Sequence, residues 1–108
     1  MKKQDFADKV IEIVALIPKG RVCTYGLIAN YIGTGGSART VGYILGHSLQ
    51  GHKVPAHRVV NAAGLLSGKA AFGGTEMQKR LQQDGVDVIN DKVLNFNDIL
   101  WNPSIELA

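Results

Sequence analysis

The chain has 108 residues, 45% of them apolar, and a formal net charge of +3. That length suits a single domain, residues 1–108, with one core; no apolar run reaches the ~18 residues of a membrane span, and no stretch of signal-peptide length follows Lys2 and Lys3. One cysteine, Cys23, excludes an internal disulfide framework and fits a reducing cytoplasm.

The charges are unevenly spread. Between Ile13 and Thr75 there is no Asp or Glu, while Lys19, Arg21, Arg39, Lys53, Arg58 and Lys69 fall there. The last third carries Glu76, Asp84, Asp87, Asp91, Asp98 and Glu106. A middle stripped of acids is poised to meet a polyanion, nucleic acid above all. The plainer reading is chance clustering on a mildly basic surface.

Residues 5–17 read as a helix, with Phe6, Val10, Ile13, Val14 and Ile17 at the helical period and Asp5 and Asp8 near its start. Pro18-Lys19-Gly20 stops it. Residues 21–24 are short and extended, and Thr24 is placed to cap a second helix from Tyr25 to Tyr31. Gly33-Thr34-Gly35-Gly36 is a permissive turn. Ser37 then caps a third helix ending near Leu45 or Gly46. Two short helices joined by a glycine turn, in a basic segment, read as a helix-turn-helix.

The third helix has two faces. Ala38, Val41, Ile44, Leu45 and Ser48 form the more apolar one; Arg39, Gly42, Tyr43 and Gly46 form the other. Each helical glycine costs up to about 1 kcal/mol against alanine. Close approach of another backbone would explain them: a DNA strand, or a neighbouring helix of the same fold.

His47 to Val54 is a polar loop. Val59-Val60 begins a strand, Asn61 to Gly64 is a turn, and Leu65-Leu66 is the expected partner strand. Residues 67–74 form a glycine-rich surface loop bearing Lys69 and Phe72. Thr75 and Gln78 match a capping box for a helix that ends at Gly85, with Met77 and Leu81 inward. Residues 86–96 suit a hairpin or an irregular extended segment equally. Residues 98–101 form a last turn, and the tail across 98–108 is expected to be partly frayed.

Little here carries chemistry unaided. His47, His52 and His57 with Cys23 match no common zinc spacing, so no metal and no cofactor is expected. A lone cysteine in an apolar segment is more often buried and inert than nucleophilic. His57 could serve it as a base only if the fold joins them. Tyr25 either covers the core or presents its ring and hydroxyl to a nucleic-acid backbone.

Four motifs are more specific. Ile17 to Ala29 (IPKGRVCTYGLIA) resembles the "IPxGxVxTYGxIA" stretch of the O6-alkylguanine-DNA alkyltransferase family. Ala38 to Gly42 resembles its "ARAVG" helix. Pro55-Ala56-His57-Arg58-Val59 resembles its "PCHRV" motif, with Ala56 where the alkyl-accepting cysteine belongs. Leu81 to Val86 resembles "LLxxEGV", with Asp84 replacing glutamate. The likeness covers about residues 6–86 and is similar to the alkyltransferase-like subgroup, many of which carry tryptophan at position 56.

The resemblance implies a mostly α fold with a small β element, winged helix-turn-helix-like, of the alkyltransferase C-terminal type. It implies non-enzymatic binding of O6-alkylguanine in double-stranded DNA through the minor groove, with base flipping, and hand-over to nucleotide excision repair proteins. It gives DNA contacts at Thr24, Tyr25, Ala38, Arg39, Thr40, Gly42 and Tyr43, Arg39 filling the vacated stack and Tyr25 pushing on the phosphate. It gives a lesion pocket at Tyr25, Pro55, Ala56, His57, Arg58 and Lys69, and no catalytic residue. Ser48 replaces the asparagine that marks the hinge after the recognition helix. The expected protein is a cytoplasmic monomer, nucleoid-associated in a bacterium, with no membrane partner. The competing readings are a regulator of intact duplex and an alkyltransferase using another nucleophile.

Overall fold

The computed structural model of the chain describes residues 3–33, 36–47 and 54–108. The elements run α1 (Lys3–Ala15), β1 (Cys23–Thr24), α2 (Tyr25–Ile32), α3 (Ala38–His47), β2 (Val59–Val60), α4 (Glu76–Gln83), β3 (Val88–Ile89), β4 (Lys92–Val93), α5 (Phe96–Ile99) and α6 (Pro103–Glu106). Single 3-10 turns form at Ala56–Arg58 and Lys69–Ala71. The fold is mostly helical with two small sheets, as the motifs imply.

The α1 stripe is buried as its period requires: Phe6, Val10, Ile13, Val14 and Ile17 all face inward. Each fully buried Val or Ile is worth about 1.5–3 kcal/mol in transfer free energy. Pro18 cannot extend the helix, and tight bonds from Leu16 N to Ile13 O and Ile17 N to Val14 O close its end.

The α2–α3 pair is set by short-range signals. Thr24 Oγ1 accepts from Leu27 N at 3.1 Å. Gly33 takes a left-handed φ of 73° and donates its N–H to Ala29 O at 2.9 Å. Ser37 Oγ accepts from Thr40 N at 3.2 Å. Ile28, Ala29, Val41, Ile44 and Leu45 are buried between these helices and α1. Ala38, which the sequence puts on the apolar side, lies exposed in the first turn, and Ser48 falls outside the described residues.

The small parallel sheet divides the interior. Cys23 pairs with Val59 and Thr24 with Val60. Neighbouring strand residues face opposite ways. Cys23 and Val59 therefore join the core of α1, α2 and α3, while Val22 and Val60 join a second core with Leu66, Met77, Leu81, Val86, Val88 and Val93. Phe72 packs against both.

Three sequence expectations are corrected here. Val59-Val60 does not pair with Leu65-Leu66. Asn61 Oδ1 instead accepts from both Ala63 N and Leu65 N at 2.9 Å, and Leu65-Leu66 turns to the second sheet, bridging Lys92 and bonding Asp91 O. Thr75 forms no capping box; its backbone (φ −104°, ψ 16°) aims no side-chain bond at the helix, and Glu76 N bonds Gly73 O instead. The C-terminal segment is docked rather than frayed. Trp101 and Pro103 are buried, Trp101 N bonds Val22 O at 2.7 Å, and Asn102 caps α6. Arg21 clamps this segment through Ile99 O, Leu100 O and Glu106 Oε1 at 2.8–3.0 Å.

One open choice is decided. Asn90 and Asp91 both take positive φ, the pattern of a two-residue type I′ hairpin, so residues 88–93 form β3 and β4. The fourth helix ends where glycine allows it, Gly85 at φ 89°.

Candidate nucleic-acid interface and base site

The outward face of α3 carries Ala38, Arg39, Thr40 and Tyr43, all exposed. Arg39 makes no ion pair among the described residues. A methyl group on Gly42 would lie 3.8 Å from the Tyr25 ring, an ordinary contact, and one on Gly46 would meet nothing within 4 Å. Alanine therefore fits both sites, and packing against the described residues does not require either glycine. A smooth, basic, exposed helix face suits a close-lying nucleic-acid backbone.

Tyr25 opens α2 and lies beneath this face, packed partly on the first core. Its hydroxyl lies beside Ser67, and a methyl on Gly68 would come within 2.7 Å of that oxygen, so a side chain there would have to displace the hydroxyl. Burial pushes the phenol pKa upward, and the neighbouring Ser67 side chain only partly offsets that. The ring covers part of the first core, and the hydroxyl lies at the Ser67-Gly68 loop. Thr24 is different. It is buried and its oxygen caps α2, so its side chain is committed inside the fold.

The Pro55-Ala56-His57-Arg58 stretch folds as one tight turn, with Ala56 N bonding Val54 O at 2.8 Å and Arg58 N bonding Pro55 O at 3.0 Å. Ala56 is buried in the first core. His57 and Arg58 both turn to Asp84. Arg58 donates Nε to Asp84 Oδ2 at 2.7 Å and Nη2 to Oδ1 at 3.0 Å, and its Nη1 reaches Ile17 O at 2.9 Å. His57 Nε2 lies 2.9 Å from Asp84 Oδ2.

Burial is the largest influence on His57 and lowers its pKa; Asp84 pulls the other way, and Arg58 and Arg80 add to the lowering. The imidazole is therefore held toward its neutral form. Burial alone would raise the Asp84 pKa, but the bonds from Arg58 and His57 outweigh it and hold the carboxyl below its usual range. A neutral imidazole donating Nε2–H to the carboxylate leaves Nδ1 as an acceptor. The residue beside it is a methyl. This is acid–base machinery with no nucleophile next to it. Asp84 belongs to this cluster although the pocket residues read from sequence omit it; its signal was the Leu81 to Val86 motif.

Other sequence candidates lie elsewhere. Lys69 pairs with Asp91 on the β3–β4 turn, both half exposed. Cys23 is fully buried in β1, where burial raises its pKa to about 12, and its thiol faces Thr24 O at 3.6 Å. Such a thiol is not a ready nucleophile. Among the described residues no group of three or more metal-ligating side chains occurs, and His52 lies outside them. An open groove of about 530 Å³ between Ala62-Ala63 and residues 92–98 includes none of the candidate residues.

The family described as 6-O-methylguanine DNA methyltransferase, DNA binding domain, matches residues 5–86. Alkyltransferase-like protein 1 of Schizosaccharomyces pombe is 37% identical over 108 residues, covering 95% of this chain and 100% of that protein. The DNA base-flipping protein of Escherichia coli K12 is 37% identical over 106 residues, covering 94% and 79%. The crystal structure of S. pombe Atl1 in complex with damaged DNA containing O6-carboxymethylguanine superposes with a TM-score of 0.84 at 35% identity, covering 95% and 100%. The chain belongs to the 6-O-methylguanine DNA methyltransferase DNA-binding family, in its alkyltransferase-like branch.

Proposed function

We propose that this chain reads O6-alkylguanine in duplex DNA without repairing it. It binds through the minor groove, flips the modified base and marks the site for nucleotide excision repair. The observation that carries the reading is Ala56. It stands in the turn where His57 is oriented by Asp84 and Arg58, so the base-activating arrangement has no thiol to activate. The buried, protonated Cys23 supports the same conclusion, a binder and not an enzyme.

In this reading Arg39, Ala38, Thr40, Gly42 and Tyr43 form the DNA-contacting face and Tyr25 assists flipping from beneath it. Pro55, Ala56, His57 and Arg58 form the base pocket. Lys69 joins it once released from its exposed partner Asp91, a pair of small energetic weight. Phosphate neutralisation gives salt-dependent affinity with little sequence preference. Flipping costs a few kcal/mol, less where the lesion already pairs badly, and Arg39 offsets lost stacking. The protein acts as a monomer in the cytoplasm, its partners being the lesion-bearing duplex and excision-repair proteins.

Titration with matched duplexes, guanine against O6-methylguanine, at fixed salt tests the reading, with the protein mass measured before and after. Tighter binding to the lesion and an unchanged mass are expected. Equal affinities would instead mark a regulator of intact duplex. An added alkyl mass that Cys23→Ala abolishes would mark an alkyl acceptor.

A further inference from the structure

His47 is the last residue of α3 and exposed. Its ring stacks on the Tyr43 ring, with centroids 4.2 Å apart and planes 20° from parallel. Its Nδ1 lies 2.9 Å from Tyr43 O. A carbonyl oxygen only accepts, so Nδ1 must carry the proton and donate it. That fixes the tautomer. In the neutral ring Nε2 is then a lone pair, and only the protonated ring can donate from it.

Positions 39, 43 and 47 lie on one ridge of the helix, four residues apart. Arg39, Tyr43 and His47 are all exposed along it, with Gly42 and Gly46 beside them. Tyr43 is 64% exposed, and the described core makes no use of its outer surface. Among the described residues Tyr43 is the titratable group against which His47 packs, and no ion pair involves His47.

We propose that His47 is a proton-linked contact to the DNA backbone, held in place by Tyr43, about two helical turns along α3 from Arg39. It rests on α3 being the DNA-contacting helix. A phosphate oxygen is an acceptor without a proton to give, so a neutral His47 with Nδ1–H engaged offers it nothing. The protonated ring offers Nε2–H and a charge. DNA binding therefore takes up a proton at His47, and the contact gains strength as pH falls. Tyr43 supplies the platform that keeps Nε2 pointing away from the helix.

The test is fluorescence-anisotropy titration of guanine and O6-methylguanine duplexes at pH 6.0 and 8.0, each over a series of salt concentrations. Wild type, His47→Gln, Tyr43→Ala and Arg39→Ala are compared. Wild type should bind roughly threefold to tenfold more tightly at pH 6.0, with a log–log salt slope steeper by about 0.9 for the one added phosphate contact. His47→Gln should match wild type within about twofold at pH 8.0 and lose both the extra affinity and the extra slope at pH 6.0. Tyr43→Ala should reduce the pH gain, and Arg39→Ala should keep it at lower overall affinity. A His47→Gln protein that retains the full pH gain, or a salt slope unchanged with pH in wild type, overturns the proposal. Lesion preference is read separately, from the ratio between the two duplexes. A ratio near one with the pH-linked slope intact would overturn damage recognition and leave the His47 contact standing.

Discussion

Arg58 and Asp84 meet in a two-pronged ion pair, with both carboxylate oxygens engaged at 2.7 and 3.0 Å and the carboxylate side chain only 9% exposed. The same guanidinium bonds Ile17 O, just past the end of α1. One residue thus ties the turn that carries His57 to both α1 and α4. Asp84→Asn should leave a largely buried guanidinium without its counter-charge and lower stability by about 3 kcal/mol. Urea denaturation measures this, and a loss below about 1 kcal/mol would show the pair to be incidental.

Acid should destabilise the protein in two steps. The folded His57 resists protonation, its pKa lying below the ordinary 6.5, whereas the unfolded imidazole does not. Its contribution is complete above about pH 6.5 and is lost as pH falls through the lowered folded value. Asp84 is also lowered from 3.8, so its contribution is present above that value and disappears as pH falls through the depressed one. Stability measured from pH 8 downward should begin to fall near pH 6.5 and fall again in strong acid. His57→Gln should remove the upper step alone, and a wild-type curve flat between pH 7 and 5 would contradict the assignment.

Gly42→Ala and Gly46→Ala should each stabilise the free protein, by about 0.5–1 kcal/mol, because helix propensity improves and neither methyl clashes. Each should weaken DNA binding by holding the phosphodiester chain off the helix. Thermal melts and duplex titrations on the same samples separate the two effects. Variants that melt higher and bind as well as wild type would show that the glycines serve no close approach.

Ala56→Trp should narrow the tolerance for O6 substituents, costing little affinity for O6-methylguanine and much more for large adducts. Because Ala56 is already buried against the core, overpacking should also lower stability by about 1–3 kcal/mol. Competition binding with a graded set of adducts provides the measurement. A uniform loss across all sizes would mean that position 56 does not border the substituent.

The helix-turn-helix was legible because its signals are local: Thr24, Gly33 and Ser37 each act within four residues of where they stand. The partner of Val59-Val60 was not, since a parallel pairing with Cys23-Thr24 leaves no mark in the residues between them. Thr75 failed as a cap because a matching pair of side chains does not fix the backbone angle a cap needs. The docking of Trp101 depends on Val22, far away in the chain, so local composition suggested fraying. Within the site, the motif marked His57 and Arg58, while the convergence on Asp84 became visible only in three dimensions. Lys69 reached an acid on a hairpin whose existence the sequence left undecided.

The two-residue pairing of Cys23-Thr24 with Val59-Val60 also closes a loop, and both α2 and α3 lie inside it. Closing a loop of that length carries an entropic cost that grows only slowly with its size, so a short clasp is enough to hold it. The clasp thereby ties both ends of the α2–α3 hairpin together. Amide exchange at Cys23, Thr24, Val59 and Val60 should therefore report the opening of the α2–α3 hairpin as one cooperative unit.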